Sequence, residues 1–134
     1  MMISSYADLI LAARQQPETQ RLLFVFCRAE IPEDASATEV ASFQQGEGGA
    51  LVPVLCVDKA VDEAECFETL VAESKGTGQD WDVAFVSALA GRGGFSPTSD
   101  EAQQPLSMMV EGVRLGHVSG YIAISRQGSL IKLQ

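Results

Sequence analysis

Gly91-Arg92-Gly93-Gly94 is the segment of this chain best suited to hold a ligand. It follows an apolar run, Val83–Leu89, and precedes Thr98, which starts a helix with Glu101 at the spacing of a capping box. Glycines let backbone N–H groups approach a bound group closely, and Arg92 places a cation beside them. The chemistry on offer is anion binding, with Arg92, Gly93, Gly94 and Thr98 as the groups that would carry it. The spacing matches neither GxGxxG nor GxxxxGK followed by Ser or Thr. The loop therefore reads first as a flexible connector and second as a site.

Other reactive side chains are scattered. Arg28 and Glu30 follow the first apolar run, and Asp58 and Lys59 follow the second. If the runs are parallel strands, these charges gather with Arg92 on one rim at their carboxyl ends, where open α/β sheets bind ligands. Charges at the starts of loops are also ordinary surface. Cys27 and Cys56 end neighbouring runs and would form a redox pair if their Cα atoms came within about 7 Å. The plainer reading is a small buried hydrophobe at each. Cys66 has no evident partner, and three cysteines without CxxC spacing offer no disulfide framework and no zinc site. His117, the only histidine, extends an apolar helix stripe and reads as structural. Asp80 and Asp82 flank Trp81 on one strand face, where they read as solvated. GxSxG is absent, no residue is nominated as catalytic, and no metal or cofactor is implied.

The elements that must position these groups follow from periodicity. Leu22–Phe26, Ala50–Val57 and Val83–Leu89 are short apolar blocks of strand length. Both faces of the first and third are apolar in the middle, which predicts central strands covered on each side. Pro53 inside the second cannot donate to a ladder and predicts an edge position or a bulge. Ser5 and Asp8 cap a helix whose face is Tyr6, Leu9, Ile10 and Ala13, ended before Pro17. Ser36 with Glu39 marks a short second helix. A third spans about Asp62–Ser74, stopped by Gly76-Thr77-Gly78, and a last carries Leu106, Met109, Val110, Val113 and His117 on one side. Tyr121–Ser125 and Ser129–Leu133 close as a hairpin about Gly128.

The order α-β-(α)-β-α-β-α-β-β predicts one α/β domain over residues 1–134, with α+β as the variant. It is a mixed sheet of about five strands with helices packed on it. Strand–helix–strand units favour parallel neighbours, and the C-terminal hairpin adds an antiparallel edge. A chain of 134 residues can build one core without a metal or disulfide staple.

Eighteen acidic residues against nine basic give a net charge of −9, which argues against nucleic acid and anionic membranes as partners. The start, Met1–Asp8, has no basic residue and does not read as a signal peptide, and no apolar stretch reaches membrane-spanning length. A cytoplasmic protein is the expectation.

Three stretches carry a resemblance: Arg21–Phe26; Gly46–Val54 with Cys56–Lys59; and Gly78–Asp82 through Gly91–Gly94. They resemble a family of small proteobacterial proteins often labelled "ribonucleotide reductase subunit alpha". The resemblance covers most of the chain and implies no established activity. The reaction in that label needs a ten-stranded barrel, a radical-bearing cysteine and a reducing cysteine pair. No cysteine of this chain is placed for that, so no catalytic role carries over.

The resulting expectation is a non-catalytic protein-interaction or regulatory module, with strand edges open to pairing. Its partner would be another protein or a second copy, a homodimer being one form. The alternative is a binder of, or enzyme acting on, a small molecule or anion, using the strand-end rim and the Gly91–Gly94 loop.

Overall fold

The computed structural model describes residues 3–31, 36–38, 41 and 50–131. Among them, three α-helices are α1 (Tyr6–Arg14), α2 (Phe67–Lys75) and α3 (Ser99–Arg114), with a 3-10 turn at Val61–Ala64. The strands are β1 (Gln20–Glu30), β2 (Ala50–Ala60), β3 (Val83–Ala90), β4 (Ile122–Ser125) and β5 (Leu130–Ile131). They form one sheet in the order β2-β1-β3-β4-β5. The α/β class, the strand number, the element order and the closing hairpin are as the sequence predicts. Of the short helix after Ser36, residues 37, 38 and 41 are helical, and the rest lies outside the described residues.

Strand direction corrects one expectation. Every neighbouring pair is antiparallel. β2 and β3 do run parallel to each other on either side of α2, but β1 lies between them. A strand–helix–strand unit fixes the direction of its two strands. It does not require them to be adjacent, and an earlier strand has taken the gap.

β1 is central and buried on both faces, with Leu22 through Cys27 all buried. Leu22, Phe24 and Phe26 face a layer made by α1, the 3-10 turn and α2. Leu23, Val25 and Cys27 face α3 through Ala102, Leu106, Met109 and Val113. β3 is likewise central, with Ala84 and Val86 on the first face and Phe85 on the second. β2 is an edge strand, and its register against β1 slips at Val54, beside Pro53. Both readings of that proline therefore hold together.

The caps explain the helix ends. Ser5 accepts from the Asp8 N–H at 3.1 Å, while the Asp8 carboxylate accepts chiefly from the Ser4 N–H and hydroxyl. Thr98 and Glu101 exchange both bonds of a capping box. The helix expected over Asp62–Ser74 is split. Tyr6 donates its buried hydroxyl to the Ala64 carbonyl, Ala64 is fully buried, and Cys66 is extended. That long-range bond holds the first segment as a separate 3-10 turn. α3 ends at Arg114, and Gly116 turns the chain with φ +81°. His117 is therefore exposed beyond the helix instead of continuing its stripe.

Trp81 locks the α2 side. Its indole stacks at a tilt on Phe26 with centroids 4.9 Å apart, Phe67 meets it edge-on, and its N–H donates to Ser74 Oγ at 2.8 Å. Ser74 in turn donates to the Val71 carbonyl. Replacing Ser74 by Ala strands the indole N–H in the core. Ser74→Ala is expected to lower the unfolding free energy by about 1–3 kcal/mol. Urea titration followed by Trp81 fluorescence reads this, and an unchanged midpoint would show that the bond contributes nothing net.

Candidate functional site

The glycine loop is a tight turn. Arg92 and Phe95 exchange two backbone hydrogen bonds of 3.0 Å, and Gly93 and Gly94 between them have φ of +58° and +84°. These are the angles of a type I′ turn, which only glycine adopts freely at both positions. Gly91 is needed for a different reason: a Cβ there would lie 2.0 Å from the Phe95 carbonyl oxygen. Its N–H donates to the Thr19 carbonyl at 2.8 Å, tying the turn to the connection between α1 and β1.

The Gly91, Arg92 and Gly94 N–H groups of the loop are already in use. The Gly94 N–H is held by the Glu18 carboxylate at 3.1 Å, so the protein supplies its own anion at the loop. The Thr98 hydroxyl is spent on the cap of α3. Arg92 differs. Arg14, Arg21, Arg28, Arg114 and Arg126 each reach a hydrogen-bond partner. The exposed Arg92 guanidinium reaches no hydrogen-bond or ion-pair partner among the described residues. Its charge reaches Glu101, whose carboxyl is held below the usual range chiefly by the Thr98 N–H and hydroxyl, with Arg92 adding to them.

Arg92 borders an open cleft of about 400 Å³ between the turn and α3, lined by Leu89, Phe95, Glu101, Gln104, Pro105 and Met108 among others. Phe95 is 80% exposed and Met108 67% exposed, unusual values for side chains of this size. Pro105 sits inside α3 and has no N–H, so the Glu101 carbonyl one turn before it lacks its helical donor. The helix face carrying that carbonyl is the face that lines the cleft.

The predicted rim divides. Asp58 shares the sheet end of Arg92, because Arg21 pairs with Ala60 on one side and Leu89 on the other. Its carboxylate is committed: Arg21 Nε lies 2.7 Å away, and Gln103 and Ser99 of α3 also bond it. Burial alone would raise the Asp58 pKa, but the bonds from Arg21 and Ser99 with the Arg21 charge outweigh it and hold the carboxyl below its ordinary value. Lys59 points to the opposite face and pairs with Glu73 of α2. Arg28 is at the far end of the sheet, donating to the Asp80 carbonyl. Antiparallel pairing is the cause, since it sends successive strand ends to opposite rims.

Cys27 and Cys56 lie on adjacent strands but are not opposite each other: Cys27 faces Pro53 and Cys56 faces Val25. Such a diagonal spans roughly 7–8 Å between Cα atoms, at or past the bridging limit. Both thiols are free. Burial pushes the Cys27 thiol up to about 12, so it stays protonated, while Cys56 is exposed. Asp80 bonds Arg126, whose guanidinium also sits 4.9 Å over the Trp81 ring, and Asp82 accepts from the Ala29 N–H. Among the described residues, no group of three His, Cys, Asp or Glu is arranged to hold a metal, and no helix is long and apolar enough to cross a membrane.

Sequence reasoning missed Phe95, Met108 and Pro105. The signal was present: Met108 falls outside the stripe of Leu106, Met109 and Val113. No family model, curated protein or solved structure matches the chain.

Two outcomes follow from this geometry. Gly91→Ala is expected to destabilise by about 1–3 kcal/mol and to open the Arg92–Phe95 turn, read as a lower thermal midpoint and lost amide protection at Phe95. Asp58 is held below the ordinary value of a carboxylate, so its contribution is complete above that ordinary value and is lost as pH falls through the folded one. The stability gap between the parent and Asp58→Asn should be constant near neutrality and shrink below about pH 4. A gap independent of pH would contradict the ion pair.

Proposed function

We propose that this chain is a non-catalytic protein-interaction or regulatory module that docks through the cleft between the Arg92–Phe95 turn and α3. The observation that carries this reading is the pair Phe95 and Met108, two large apolar side chains left mostly in water on one cleft. Exposed aromatic and Met side chains beside an arginine are the composition of binding hot spots. The other candidate groups support it, since Asp58, Thr98, Glu18 and Asp80 are occupied in pairs and caps that hold the fold. The charge balance favours a protein partner over a nucleic acid.

Arg92 favours one second reading. A guanidinium without a hydrogen-bond partner among the described residues, set at an apolar cleft, also suits an organic anion with an apolar body. Thermal-shift screening against nucleotides and aromatic carboxylates separates the two. A true ligand at 100 times its Kd stabilises by about 2.7 kcal/mol, and Arg92→Ala should abolish the shift.

The docking reading is tested by placing a photo-crosslinking phenylalanine at Phe95, Met108 or Leu11 in living cells. Leu11, 47% exposed on α1, serves as the control. Discrete adducts at 95 and 108 but not at 11 are expected. Equal labelling at all three positions, or none at 95 and 108, overturns the reading.

A further inference from the structure

We propose that the partner enters as an extended peptide segment of another protein and adds a strand to the free border of β3; this rests on the docking reading above. β3 runs to Ala90, but β4 pairs only with Val83–Val86, and its ladder stops at Ile122. Gly91 donates to Thr19 on the β1 side. Successive residues of an antiparallel strand turn their N–H and C=O groups to opposite borders. Ala88 and Ala90 therefore turn theirs to the β4 side, beyond the end of β4. Both residues are exposed, and no turn or loop backbone group among the described residues bonds them.

A cleft flanks this border on each face of the sheet. Leu89 lines the Phe95–Met108 cleft on the α3 face. Ala88 lines a second cleft of about 310 Å³ on the α1 face, with Leu9, Ala12, Leu22 and Ile122. Side chains of an added strand alternate between faces, so one set meets Phe95 and Met108 and the other meets Leu9 and Ile122. The open backbone groups select the occupant. A helix spends its N–H and C=O groups internally, and an organic anion does not supply both at strand spacing. Charge fixes one position. Arg92, two residues past Ala90 and without a hydrogen-bond or ion-pair partner among the described residues, suits an acidic side chain. Antiparallel addition, the direction of every neighbouring pair in this sheet, puts that residue at the N-terminal end of the segment, ahead of a run of apolar residues.

The test selects a random heptapeptide phage library on the full chain and measures the enriched peptides as synthetic probes. An acidic residue followed by apolar ones is the expected pattern. Each peptide N–H is then methylated in turn. Affinity should fall roughly tenfold at every second position and by less than about twofold between them, because only alternate N–H groups face β3. Arg92→Ala should weaken the same peptides about tenfold. Amide exchange at Ala88 and Ala90, fast in the free chain, should slow when peptide is bound, a readout that needs no variant. No enriched peptide, a methylation profile without alternation, binding indifferent to Arg92→Ala, or unprotected amides at 88 and 90 overturns the proposal. If it fails in any of these ways while positions 95 and 108 still crosslink in cells, the added strand is wrong and the docking reading stands. If the crosslinks are absent as well, both fall.

Discussion

The structure depends on β1 being apolar on both faces. Phe24 and Val25 are adjacent in sequence, point to opposite sides of the sheet and are both fully buried. A strand of that kind is stable only where something covers each side. α1, the 3-10 turn and α2 cover one, and α3 covers the other. The central position also decides directions. Once β1 sits between β2 and β3 with antiparallel partners on both flanks, the strand ends alternate, and the charges at those ends are distributed between two rims.

The candidate site is a by-product of that distribution. β3 delivers the chain to the rim it shares with Asp58, and the type I′ turn folds it back at once. α3 then starts from a capping box and crosses the sheet so that its apolar stripe meets β1 and β2. Its other side, with Met108 and the proline-broken backbone, faces the turn. Glu18 from the preceding connection and Thr19 fasten the turn in place. A hydrogen-bonded backbone thus presents the exposed side chains of Arg92, Phe95 and Met108.

Much of this was legible from residues. Continuous apolar runs marked β1 and β3 as central, and Pro53 placed β2 at an edge with a bulge beside it. Ser5, Thr98 and Glu101 marked helix starts, and Gly128 turned the hairpin with φ +90°. What escaped depends on contacts distant in sequence. Local periodicity cannot tell which strand occupies the space beside another, so the rim assembled from Arg28, Asp58, Lys59 and Arg92 came apart. The break between Ala64 and Phe67 rests on the hydroxyl of Tyr6, 58 residues earlier. Phe95 is apolar and its exposure could not be read from its type; only the placement of α3 reveals it.

The edge strand carries a last consequence. Proline is tolerated in a ladder where its nitrogen faces away from the paired neighbour, so the missing donor at Pro53 lies on the outer border of β2. One residue on, the slip at Val54 adds local twist. A foreign strand laid along that border would lose a bond at one step and its alignment at the next. Stacking of chains into fibrils through this border is therefore discouraged, which leaves an acidic chain with an 11-residue outer strand free to stay dispersed.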